Sequence, residues 1–77
     1  MMTATDERRT VSQLADERDW RRRVGGEGRA DIYNRGTVRI RATWQGDDKL
    51  SGAALFHDEM YESYTRDVNT LRAWFRR

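Results

Sequence analysis

The sequence predicts an α+β fold: an N-terminal helix, an antiparallel meander of three or four strands, and a C-terminal helix packed on one face of the sheet. Three observations predict it. Thr37–Gln45 alternates strictly, with Val38, Ile40, Ala42 and Trp44 on one side and Arg39, Arg41, Thr43 and Gln45 on the other. Successive strand side chains point to opposite faces, so this pattern means one buried face and one wet face. Leu50–His57 and Met60–Thr65 are two further runs of strand-forming residues, and Gly46-Asp47-Asp48-Lys49 and Asp58-Glu59 have the composition of hairpin turns. The segments outside this region repeat apolar residues at helical spacing.

In chain order, Met1–Thr5 has nothing to pack and is expected to fray. Asp6–Arg23 reads as a helix. Val11, Leu14, Ala15 and Arg18 follow i, i+3, i+4, i+7 spacing, Trp20 and Val24 extend the stripe, and Thr10 with Gln13 has the form of a capping box. Residues 24–28 (VGGEG) read as a glycine-rich flexible link. A phosphate loop would need a following Lys-Ser/Thr, which is absent. Arg29–Asn34 is a first strand, and Asn34-Arg35-Gly36 is a short turn with glycine supplying a positive φ. Residues 58–76 admit two descriptions. One is a single long helix with a Met60, Tyr64, Val68, Leu71, Phe75 stripe. The preferred one is a strand over Met60–Thr65 followed by a helix over Val68–Arg76, with Thr65 or Asp67 as its cap. Trp74 and Phe75 are the expected anchors of the core, each contributing about 2–3 kcal/mol on burial.

Composition bounds the function. A chain of 77 residues is one domain and buries about 60% of its unfolded surface, which makes it marginal by itself. There is no Cys, so disulfides and thiolate zinc sites are excluded. No apolar run approaches the roughly 18 residues of a membrane span, and MMTATDERRT lacks the apolar stretch of a signal peptide. A soluble, cytoplasmic protein is the default expectation. Charged residues make up 36% of the chain, yet the net charge is only +2, and that excess falls within residues 29–57. This is a weak basic bias for a nucleic-acid binder.

Pairing the hairpins gives a register. With Gln45 opposite Leu50, Ala42 faces Ala53 and Ile40 faces Leu55. With Asp58-Glu59 as a two-residue turn, His57 faces Met60, Leu55 faces Glu62 and Ala53 faces Tyr64. The apolar face is then Val38, Ile40, Ala42, Trp44, Ala53, Leu55, Met60 and Tyr64, with His57 and Glu62 as misfits at its rim. The polar face holds Arg39, Arg41, Thr43, Gln45, Ala54, Phe56, Tyr61, Ser63 and Thr65. Arg39, Phe56 and Tyr61 share a row there. Guanidinium and aromatic rings side by side suit base stacking and phosphate contact.

Catalytic chemistry has little to work with. His57 is the single histidine, no Cys or G-x-S-x-G nucleophile accompanies it, and the acids Asp47-Asp48 and Asp58-Glu59 sit in turns where acids are expected. The expectation is therefore a protein without enzymatic activity, metal or cofactor. The order of helix, antiparallel strands and helix resembles that of the double-stranded-RNA-binding domain, with TRDVNT standing where that family carries a basic cluster. Strands followed by a helix ending in LRAWF are similar in order to the arm-type sheet DNA binders of integrases. Size and Arg-rich composition also suit a phage accessory protein. Two functions emerge. One is a protein–protein interaction or regulatory module, including a homodimer, which the weak net charge favours. The other is a nucleic-acid-binding module using Arg39, Arg41, Phe56 and Tyr61, which the Arg–aromatic row favours.

Overall fold

A computed structural model describes residues 7–45 and 49–76. Helix α1 spans Glu7–Glu17, and five strands follow: β1 Arg21–Gly25, β2 Ala30–Arg35, β3 Val38–Gln45, β4 Lys49–His57 and β5 Met60–Thr65. Helix α2, Val68–Phe75, ends the fold. The strands form one antiparallel sheet in sequence order, β1-β2-β3-β4-β5. The α+β class is as expected. The strand number is five rather than three or four, and residues 58–76 are strand plus helix.

The added strand is β1, which the sequence pattern places in the helix. Helix α1 stops at Glu17 through a Schellman-type end. Asp19 takes a left-handed conformation (φ 66°), its N–H donates to the Asp16 carbonyl, and the Trp20 N–H donates to the Ala15 carbonyl. Glycine is the usual residue at that position, so Asp19 hides the stop. Thr10 lies inside the helix and does not cap it. The glycine-rich residues 24–28 are the end of β1 and a tight turn over Gly26–Gly28, which returns the chain antiparallel with Gly25 opposite Ala30. Gly26 and Gly28 there have φ of 57° and 87°, which few other residues adopt cheaply. The expected fraying of Met1–Thr5 and the Gly46–Asp48 turn lie outside the described residues.

The central register is close to expectation. Ile40 pairs with Leu55, Ala42 with Ala53, Phe56 with Tyr61 and His57 with Met60. Two bulges correct the rest. Between Thr43 and Trp44 the pairing shifts, so Leu50 faces Trp44 and Lys49 faces Gln45. Beyond Phe56, Glu62 is the extra residue, so Ser63 faces Leu55, Tyr64 faces Ala54 and Thr65 faces Ala53. A one-residue shift reverses the face of every later side chain. Tyr64 therefore leaves the apolar face, and Ser63 and Thr65 join it.

Both helices pack on the apolar face. The core is Val11, Ala15, Trp20, Tyr33, Ile40, Ala42, Trp44, Leu50, Ala53, Leu55, Leu71 and Phe75. Phe75 is its aromatic centre, edge-on to Trp20 at 5.2 Å and to Tyr33 at 4.8 Å; such pairs are worth about 0.5–1.5 kcal/mol beyond their burial. Trp20 Nε1 donates to the Phe75 carbonyl at 3.1 Å. Trp20 thus takes the anchoring place expected of Trp74, which is only partly buried. Helix α2 starts as expected, with the Asp67 carboxylate accepting from the Asn69 N–H at 3.1 Å.

Helix α1 is tied to the sheet by charge. Asp31 is fully buried and accepts two hydrogen bonds from Arg8, both at 2.9 Å, while Arg22 stands 3.1 Å away. Glu7 accepts the Leu50 N–H at 3.0 Å. Burial alone would raise the Asp31 pKa. The Arg8 hydrogen bond and the Arg22 and Arg8 charges outweigh it and hold the carboxyl below its ordinary 3.8. Burial, with the Asp31 charge beside it, pushes the Tyr33 phenol up to about 12.

Two stability outcomes follow from this packing. Leu71 is fully buried, and a carboxylate there would be left without water or partner. A domain of this size has about 3–5 kcal/mol in hand, so Leu71→Asp should abolish the cooperative melt. A variant melting near the parent midpoint would remove Leu71 from the core. The second outcome concerns pH. A carboxyl whose pKa is depressed on folding contributes stability above its unfolded pKa and loses it as pH falls through the folded value. Stability should decline from about pH 4 downward. Asp31→Asn should melt lower at neutral pH and show a shallower acid decline; parallel parent and variant curves would exclude Asp31 from the acid transition.

Candidate functional site

Neither helix packs over the second face of the sheet; only its Ala30 corner is covered, by the Gly26–Gly28 turn. Strand alternation and the observed pairings lay its side chains out in rows across the strands. One row runs Arg21, Asn34, Arg39, Phe56, Tyr61; the next runs Arg23, Ile32, Arg41, Ala54, Tyr64; a third runs Gly25, Ala30, Thr43, Gly52. Neighbouring strands are about 4.8 Å apart, and successive rows about 7 Å apart along each strand. In the first two rows arginines thus occupy the β1 and β3 side, and aromatics the β4 and β5 side.

The expected site residues Arg39, Phe56 and Tyr61 are brought together. The Arg39 guanidinium carbon lies 4.9 Å from the Phe56 ring centre, and the Phe56 and Tyr61 rings meet edge to face at 6.1 Å. Arg41 sits on the same face one row along, exposed, and in line with Tyr64. Tyr61 and Tyr64 are 62% and 56% exposed, unusual for large apolar rings. Gly52 gives Tyr64 its place: a Cβ at residue 52 would collide with the hydroxyl and ring of Tyr64. Beside that ring lies a shallow hollow of about 270 Å³, bounded by Arg41, Thr43, Ser51, Gly52, Ala54 and Tyr64.

Charge is sorted between the two faces. The strands contain two acids, Asp31 and Glu62. Asp31 is buried under α1, and Glu62 lines a hollow on the helix side with Trp20, Val38, Leu55 and His57. The strand positions of the open face therefore carry Arg21, Arg23, Arg39, Arg41 and, opposite Gln45, Lys49, and no carboxylate. Asp58 and Glu59, in the β4–β5 turn, border a hollow beside Arg39. A net charge of +2 for the whole chain understates the local field of this face.

Arg21, Arg23 and Tyr64 are the arginines and the aromatic residue of this face absent from the sequence-based set. The sequence pattern places the arginines in a helix because Trp20 and Val24 extend the stripe of Val11, Leu14 and Ala15. The glycines that follow, between RRRV and ADIY, are the hairpin signal that separates them from it. For Tyr64 the signal is Glu62. A carboxylate on an apolar face is a misfit, and a bulge at that residue resolves it while turning Tyr64 outward.

His57 is exposed at the end of β4 and lines the helix-side hollow. Among the described residues no three His, Asp or Glu side chains are grouped as metal ligands, and no helix is long and apolar enough to cross a membrane. No protein-family model, curated protein or solved structure matches the chain.

Proposed function

We propose that this chain is a non-enzymatic module that binds single-stranded nucleic acid across the open face of its sheet. The observation that carries this reading is the open face itself, with four arginines, no carboxylate at a strand position, and three partly or largely exposed aromatic rings. Arginines supply phosphate contacts, and aromatic rings on a sheet stack bases that are free of a duplex. A duplex hides its base faces, so the aromatic half of the surface would have nothing to bind.

Only a few arginines can reach one strand, so two to four phosphate contacts are expected. Each lowers log affinity by about 0.7 per decade of salt for single strands. Titration of a fluorescent single-stranded oligonucleotide at several salt concentrations should show that shallow slope. Arg39→Ala with Arg41→Ala should flatten it by about one or two contacts. Phe56→Ala should lose about 1–3 kcal/mol of binding with the slope unchanged. Absence of salt-dependent binding at low salt would overturn the proposal.

A second reading, self-association or capture of a protein partner, draws on strand β5. It is an edge strand, and three of the large hydrophobic residues with high exposure, Met60, Tyr61 and Tyr64, lie on it. The opposite edge carries Arg21–Arg23, a charge run of the kind that discourages strand pairing. On this reading light scattering gives a mass above the monomer, and oligonucleotides do not bind.

A further inference from the structure

Resting on the nucleic-acid reading, we propose that the open face holds two consecutive nucleotides in a stretched, unstacked arrangement, one base on Tyr61 and Phe56 and the next on Tyr64 beside Gly52. The spacing of the rows carries this. Phe56 and Ala54, the partners of Tyr61 and Tyr64, belong to successive rows on the same face, about 7 Å apart along β4, and the Tyr64 ring leans away from the first row, over Gly52, which sets the two rings at least that far apart. Stacked bases rise about 3.4 Å. Two neighbouring bases cannot keep their mutual stack and each lie on its own ring at twice that spacing.

The rest of the face fits a strand that runs along β3 and β4. Each of the first two rows ends in an aromatic on β5 and places an arginine on β3 and another on β1: Arg39 and Arg21 in the first, Arg41 and Arg23 in the second. The backbone then lies over the arginines and the bases point toward β5. The hollow beside Tyr64 has Arg41 on one side, a floor of Gly52 and Ala54, and the Thr43 and Ser51 residues at its margin. Its volume of about 270 Å³ is enough for a planar base, and Thr43 and Ser51 are among its lining residues. The β5 bulge at Glu62 is what creates the second aromatic position, because without it Ser63 would face Ala54.

The geometry has a compositional consequence. Unstacking a purine run costs more than unstacking a pyrimidine run, so thymine- or uracil-rich strands should bind more tightly than adenine-rich ones. The test uses the full chain and three oligonucleotides of equal length: oligo-dT, oligo-dA, and an abasic backbone of the same charge. The parent should bind oligo-dT more tightly than oligo-dA, and the abasic strand weakest. Tyr64→Ala should weaken oligo-dT roughly ten-fold, within the range for one stacked base, and leave the abasic strand unchanged. Gly52→Ala should do the same in part, because the added methyl displaces the Tyr64 ring while keeping it in the chain. Tyr64 is exposed, so its removal should leave the thermal midpoint near the parent value.

The outcomes separate the two levels. If Tyr64→Ala and Gly52→Ala bind oligo-dT as the parent does, while Arg39 and Arg41 still set the salt slope, the two-base platform is wrong and the nucleic-acid reading stands. Equal parent affinity for oligo-dT and the abasic strand also overturns the platform. If no strand binds at low salt, both proposals fall.

Discussion

The contact on which the rest of this fold depends is the meeting of Trp20, Phe75 and Tyr33. Trp20 lies just after α1, Phe75 closes α2 and Tyr33 rises from β2, so three distant parts of the chain share one aromatic cluster. The Trp20 indole also caps the Phe75 carbonyl, one of the carbonyls that a helix end leaves without an internal partner. Because these rings lie on one side of the sheet, both helices must lie there too. Antiparallel sheets commonly keep one face on the core and one in water, and here the aliphatic core and both helices are on the first, while Phe56, Tyr61 and Tyr64 remain on the second.

Charge follows the same division. The strand carboxylate Asp31 is buried between Arg8 and Arg22, where it joins α1 to β1 and β2. A buried carboxylate is tolerable only with such partners. Its placement leaves the arginines of the open face without a strand acid among them. A chain of nearly balanced charge thereby presents a cationic surface. Whole-chain charge, the quantity that argued for a protein partner over a nucleic acid, averages over this separation.

The two bulges show how a small irregularity redirects a surface. In β4 the shift at Ser51 brings Leu50 into the core opposite Trp44. In β5 the shift at Glu62 sends Tyr64 from the core face to the open one and brings Ser63 and Thr65 the other way. Small polar residues sit easily under the edge of a helix layer, whereas a tyrosine would have to find room and a hydrogen-bond partner there.

Much of this was legible in order of residues alone. Alternation in Val38–Gln45 is a period-two pattern, and it marks a half-buried strand wherever that strand lies. The Asp58-Glu59 turn and the Asp67 cap are equally local, and the row of Arg39, Phe56 and Tyr61 followed from them. Arg21–Gly25 is different. RRRV fits a helix as well as a strand, and what makes it a strand is the ladder with Ala30–Asn34 and the left-handed Asp19 that lets the chain turn. The same holds for Tyr64, whose face depends on a pairing offset between β4 and β5. Such offsets are set by cross-strand packing between residues far apart in sequence, and no local period records them. The open face, with its four arginines and two tyrosines in rows, is therefore a product of assembly: its individual residues were visible in the chain, and their common surface exists only once the sheet has formed.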